Sequence, residues 1–224
     1  HSVSNSGTAT VSDNDSMSGF AARMKIQTWG YVAAGALTNF PVLVRLSDGI
    51  GGGFHYGQVA SPQGDDLRFT TADGSSLLKY DIEKWDPAGE SIIWVQLTEM
   101  ADTNTCFLVL WGNPDATSAP PVYATNGAAW MESFRGVWHL GADENDSTSN
   151  RFAGVNQGST DSTGIVGRCQ SFDGNDYITL SGAPAVQGNA SRTVSAWVRK
   201  SGTEEDCAVS LGTPANSQSF NLVF

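Results

Sequence analysis

The sequence predicts an all-β protein made of two β-sandwich units, and three observations carry that expectation. Apolar runs are short, rich in β-branched and aromatic residues, and cut by Gly, Asp, Asn and Pro. Helical periodicity is nearly absent. Where a run alternates, as in Thr193–Arg199, Val194, Ala196 and Val198 face one way while Ser195, Trp197 and Arg199 face the other. Such a pattern belongs to a sheet with one face on a core.

Taken in order, residues 1–18 are polar and small, with Val3, Val11 and Met17 as their apolar members. They read either as a frayed tail or as a donor strand, Thr8–Ser12, that adds to the open sheet edge of another subunit. Strands are expected at Ala22–Trp29, Val42–Leu46, Leu67–Thr70, Leu77–Glu83, Ile92–Leu97 and Thr105–Trp111. Ala72-Asp-Gly-Ser supplies the turn that makes residues 67–83 a hairpin. Residues 19–113 thus form the first sandwich. A Pro/Ala/Ser linker occupies 114–133, where Pro120-Pro121 opposes both helix and ladder. The second unit, 134–224, has expected strands at Gly136–Leu140, Gln170–Phe172, Tyr177–Leu180, Thr193–Arg199, Ala208–Leu211 and Phe220–Phe224.

Composition narrows the function. The chain has 224 residues, 12 Lys+Arg against 23 Asp+Glu and a net charge of −11. An acidic chain without basic runs does not hold a phosphate backbone, so nucleic acid is excluded and anionic membrane surfaces are disfavoured. No apolar run reaches the ~18 residues of a bilayer span, so no direct membrane insertion is expected. Divalent cations and neutral sugars remain as partners. The beginning carries no charged-then-apolar signal and reads as a mature, tagged or cut end. Abundant Ser, Thr, Gly, Asn and Trp with little Lys gives an extracellular or cell-surface character. Sequons stand at Asn14, Asn145 and Asn189 as candidate glycosylation sites. Cys106, Cys169 and Cys207 have no metal spacing; Cys169 with Cys207 is the candidate disulfide, and three buried thiols are the alternative.

The runs LTNFPVLVRLSDGI, GDDLRFTTADGSSLLKYDIEKWDPAGESIIWVQL and FLVLWGN, in that order between Met24 and Asn113, resemble a bacterial secreted-domain family of unknown function. Members of that family stand beside jelly rolls of the LamG type in large surface proteins and in some proteins with proton-channel modules. The continuation FRGVWHLGADENDSTSN, GIVGRCQSFDGNDYITL and TVSAWVRKSG resembles the opening strands of such a LamG-like, concanavalin A-like lectin/glucanase jelly roll. The resemblance implies two β-sandwich domains, an exported protein and no known catalytic activity. It also implies a partial second domain, because a jelly roll of that kind needs more strands than 134–224 supply. The expectation is a piece of a longer chain or a subunit completed by a neighbour.

Three chemistries are open to the residues. Asp143, Asn145 and Asp146 in one loop and Asp173, Asn175 and Asp176 in another offer the hard oxygens that calcium takes, and related jelly rolls hold calcium between such loops. The same residues serve plain turns. Trp29, Trp85 and Trp130, near turns or the linker, are candidates for stacking on sugar faces, whereas Trp94, Trp111, Trp138 and Trp197 lie in strand patterns as core. Paired catalytic carboxylates of glucanase spacing are missing: Glu132, Asp143 and Glu144 share no strand face, and Glu204-Glu205-Asp206 reads as a solvated loop. His139, beside Trp138, reads as a hydrogen-bonded structural histidine. The expectation is therefore not an enzyme but a module for glycan recognition or adhesion, with a carbohydrate or glycoprotein surface as partner and calcium as a candidate ion. The alternative is a filament subunit that meets neighbouring copies by strand complementation. A glycoside hydrolase-like jelly roll stands third.

Overall fold

The computed structural model describes residues 19–31, 35–130, 134–141, 143–182, 190–203, 205–213 and 218–224. The tail at 1–18 with Asn14, and the positions Glu132, Asn189 and Glu204, lie outside the described residues. The fold is all-β, with no α-helix among the described residues.

The first sandwich contains β1 (Ala22–Gln27), β2 (Leu37–Ser47), β3 (Arg68–Thr71), β4 (Leu77–Leu78), β5 (Tyr80–Lys84), β6 (Glu90–Met100) and β7 (Cys106–Trp111). One sheet runs in the order β1-β7-β3-β4 and the other β2-β6-β5, every pair antiparallel. Period-two alternation sends Met24, Ile26, Phe69, Phe107, Val109 and Trp111 of the first sheet inward against Val42, Val44, Tyr80, Ile93 and Val95 of the second. The expected hairpin at 67–83 is present but shorter: Phe69 faces Leu78 and Thr70 faces Leu77, and after Lys79 the chain crosses to the other sheet as β5. Its turn is closed by Asp73, whose carboxylate accepts from Thr71 Oγ1 and from Ser75 N–H and Oγ. The Thr71 hydroxyl, then the Ser75 donors, hold that carboxyl down at about 2.

Asp66 is fully buried and ties the sandwich shut at one end. Its oxygens accept from Ala60, Ser61, Gly112 and Asn113 N–H. Gly112 has φ 82, and a Cβ there would meet Ala21 and the Gln58 carbonyl at 3.0 Å. Only glycine fits that approach.

The segment 114–130, a linker by composition, is packed against the sandwich through short 3-10 turns at Pro114–Ala116, Val122–Ala124 and Ala128–Trp130. Ala124 joins the core, and the Tyr123 ring meets Tyr80 edge-on at 5.9 Å. Beyond it the strands are β8 (Gly154–Gln157), β9 (Thr160–Thr163), β10 (Arg168–Ser171), β11 (Tyr177–Leu180), β12 (Cys207–Thr213) and β13 (Gln218–Val223). They form three two-stranded ribbons, β8 with β11, β9 with β10 and β12 with β13.

Two expected strands are corrected, and two observed strands were not expected. Gly136–Leu140 makes one isolated bridge, Trp138 to Asp146, in place of a strand, because side-chain carboxylates rather than a ladder hold this stretch. Thr193–Arg199 is not a strand, since alternation without a partner makes no ladder, and Trp197 stands 81 % exposed instead of in a core. The polar strands β8 and β9 carry no apolar alternation and escape a reading built on it.

Candidate functional site: an ionic cluster on the outer sheet face

In β5 the alternation that turns Tyr80 and Ile82 toward the core turns Asp81 and Glu83 away from it. A bulge between Ile82 and Lys84, opposite Ile93 and Ile92, sets Glu83 as the extra residue and re-aims it. Trp94 of β6 lies directly across from Asp81, with Leu43 of β2 on its other side. The outer face of this sheet therefore offers two carboxylates beside an indole, a composition that cannot face a second layer unless that layer brings donors.

The covering layer brings them. Trp130 Nε1–H donates to Asp81 Oδ2 at 2.8 Å, and Trp94 Nε1–H donates to Glu83 Oε2 at 2.7 Å. His139 inserts between the acids, with Nε2 3.1 Å from Asp81 Oδ2 and Nδ1 3.1 Å from Glu83 Oε2. Its ring stacks over Trp94 at 6.2 Å and tilts against Trp130 at 5.6 Å, while Phe134 closes the Trp130 edge at 5.4 Å. The Glu83 side chain is 4 % exposed and that of His139 15 %. Burial alone would lower the imidazole pKa, but the hydrogen bonds to Asp81 and Glu83, with their charges, outweigh it and raise the value to about 9. At neutral pH both ring nitrogens carry protons and both donate.

The same face receives the tip of the β9–β10 hairpin. Arg45 pairs with Glu90 at 3.0 Å and also donates from Nη2 to the Ile165 carbonyl at 2.8 Å. Gly167, at φ 57, comes so close to Glu83 that a Cβ would collide with its carboxylate oxygen. The sandwich and the hairpin thus meet through polar groups that are mutually satisfied.

Residues 63–163 match the family model described as a domain of unknown function (DUF2341). The matched span starts within the sandwich and runs through the packed turns into β9, so it includes Asp81, Glu83, Trp94, Trp130 and His139. No curated protein and no solved structure matches the chain.

The cluster is hydrogen-bonded within itself. The two carboxylates address opposite edges of one ring, so the three groups share no point where a single ion could sit, and every one of them already has partners. Among the described residues no three His, Cys, Asp or Glu groups converge as a metal site. Of the calcium candidates, Asp146 is buried and accepts from Val137 N–H, Thr148 N–H and Oγ1, and Phe152 N–H, which fills both oxygens. Asp143 accepts from Asn145 N–H, Asp173 from Asn175 N–H, and Asp176 from Asp173 N–H, each closing its own loop.

The three tryptophans singled out for sugar stacking fall in different surroundings. Trp29 is 63 % exposed after β1. Trp85 is half-buried, donates to the Pro62 carbonyl at 2.9 Å and meets Tyr56 edge-on at 5.2 Å. Trp130, expected near the surface, is buried in the cluster. Asn145 is exposed. All three cysteines are free thiols, so Cys169 and Cys207 are not joined in this structure. Sequence reasoning missed Asp81 and Glu83. The signal was in the run Ile92–Leu97, where Ile92 and Trp94 place large apolar side chains on the face opposite Ile93, Val95 and Leu97 and so ask for cover there too.

Proposed function

We propose that the chain is a non-enzymatic recognition module working outside the cell or at its surface, with the sandwich as a rigid base and exposed aromatic rings as contact points for neutral glycans. The observation that carries this reading is the exposure of the Trp29 ring at the end of β1, seconded by Trp197. A flat apolar ring held on a folded scaffold suits the apolar face of a sugar. Internal saturation of the His139 cluster favours the non-enzymatic side, because no carboxylate there is free to act as acid or nucleophile. A LamG-like jelly roll, with its implied glycan partners, remains the reading of residues 134–224 on resemblance. The test is binding of the chain to an array of neutral glycans. Trp29→Ala should lower binding about five- to tenfold, the ~1 kcal/mol scale of one aromatic contact. Absence of any glycan binding, or binding indifferent to both Trp29→Ala and Trp197→Ala, would overturn it.

A second reading, assembly with neighbouring copies, is favoured by one observation of its own. The eleven-residue β2 pairs on one side, with β6, and leaves its other edge open among the described residues. An open strand edge is a template for strand addition. Native mass in solution tests it.

A further inference from the structure

We propose that His139, Asp81 and Glu83 form a proton-operated clamp: the doubly protonated ring fastens residues 134–141 to the outer face of β5 and β6, and loss of its second proton releases that segment while the two-sheet core stays folded.

The geometry requires both protons. Each ring nitrogen lies 3.1 Å from a carboxylate oxygen, so a neutral imidazole, with a single N–H, would aim a lone pair at one acid. That acid keeps its indole donor, Trp130 for Asp81 or Trp94 for Glu83, but loses its counter-charge in a nearly closed site. Among the described residues, Lys84, Arg45 and Arg168, on the elements packed around the ring, are committed elsewhere. On β5, Lys84 is engaged with Asp86 at 2.7 Å. From β2, Arg45 is committed to Glu90 of β6 and to the Ile165 carbonyl. From the Ala128–Trp130 turn comes an uncharged indole, and from the β9–β10 tip Gly167, whose neighbour Arg168 pairs with Asp161. Two acids would then share a buried face with no positive partner between them, an arrangement that favours opening.

Release need not disturb the fold. The hydrophobic core is drawn from the sandwich strands, their loops and Ala124, and contains no residue of 134–141. The sign is set by the raised imidazole value. The hold is complete below the ordinary 6.5, weakens above it, and is gone once pH passes about 9. Over that window the closed-to-open ratio falls on the order of a hundredfold.

The experiment uses the full chain from about pH 5 to about pH 10. It tracks the His139 imidazole by NMR and tryptophan emission, because Trp94 and Trp130 flank the ring. Tyr56, Tyr80 and Tyr123 are raised, chiefly by burial, and ionise above this window. The imidazole is expected to titrate near 9, with an emission change at the same midpoint and near-ultraviolet dichroism of the core retained. Asp81→Asn should move the imidazole midpoint down toward 6.5, and His139→Gln should remove the emission step. An imidazole that titrates near 6.5 in the wild-type chain, or emission unchanged across its titration, overturns the clamp, and these wild-type readings decide even if a variant fails to fold.

Discussion

Asp66 and Asp146 perform the same task in the two halves of the chain. Each is a fully buried carboxylate that collects backbone donors from a loop and so lets an irregular stretch pass through the interior without orphaned N–H groups. Asp66 serves four amides from two separated segments, which makes it a cross-link as well as a cap. Asp66→Ala should cost about 3–5 kcal/mol in chemical denaturation, the scale expected when several buried donors lose one charged acceptor together. An effect under about 1 kcal/mol would mean that water replaces the carboxylate at little cost. From sequence alone Asp65-Asp66 reads as a turn, because short acids at strand ends belong to turns far more often than to interiors. What makes this one a hub is the return of β7 beside it, a contact 46 residues away that no local pattern announces.

At the scale of elements, the β9–β10 tip is a tightly constrained contact between the sandwich and the C-terminal half of the chain. Gly167 adopts a left-handed conformation there and sits against Glu83, whose carboxylate is already fixed by Trp94 and His139. Gly167→Ala should therefore destabilise by about 1–3 kcal/mol and speed amide exchange in β9 and β10 while leaving β2–β6 amides protected. Uniform loss of protection across both regions would place the damage elsewhere. The sandwich strands were largely legible in the sequence because they alternate or carry unbroken apolar runs, and β11 was read at its observed bounds. Where side chains rather than ladders set the backbone, as at 136–140, or where a pair is polar throughout, as in β8 and β9, periodicity had nothing to register. His139 was legible as a hydrogen-bonded residue. Its partners were not, since Asp81 is 58 residues distant along the chain.

For the whole molecule, the two halves differ in how they are held. The sandwich has a continuous core, whereas the half beyond it leaves Val155, Phe172, Tyr177, Trp197, Val223 and Phe224 exposed. Two-stranded ribbons are marginal alone, so this half gains order chiefly from what it touches. Light scattering after size exclusion separates the two functional readings: a monomer removes assembly with copies of itself, and a regular series of higher masses supports it. Repeating the run with calcium and then with a chelator should leave the mass unchanged, given how Asp146, Asp173 and Asp176 spend their oxygens.

The pairing of β1 with β7 carries a mechanical consequence. Ala22, the first residue of β1, lies opposite Trp111, the last of β7, and Gly19 rests against Asn113. A pull applied directly across these two strand ends would load the pair like the two tabs of a zip, breaking its hydrogen bonds one at a time from Ala22 inward instead of shearing all of them at once. Under tension the sandwich would peel from β1 at low force, unless the Asp66 carboxylate, gripping Gly112 and Asn113 just past Trp111, bears the load first.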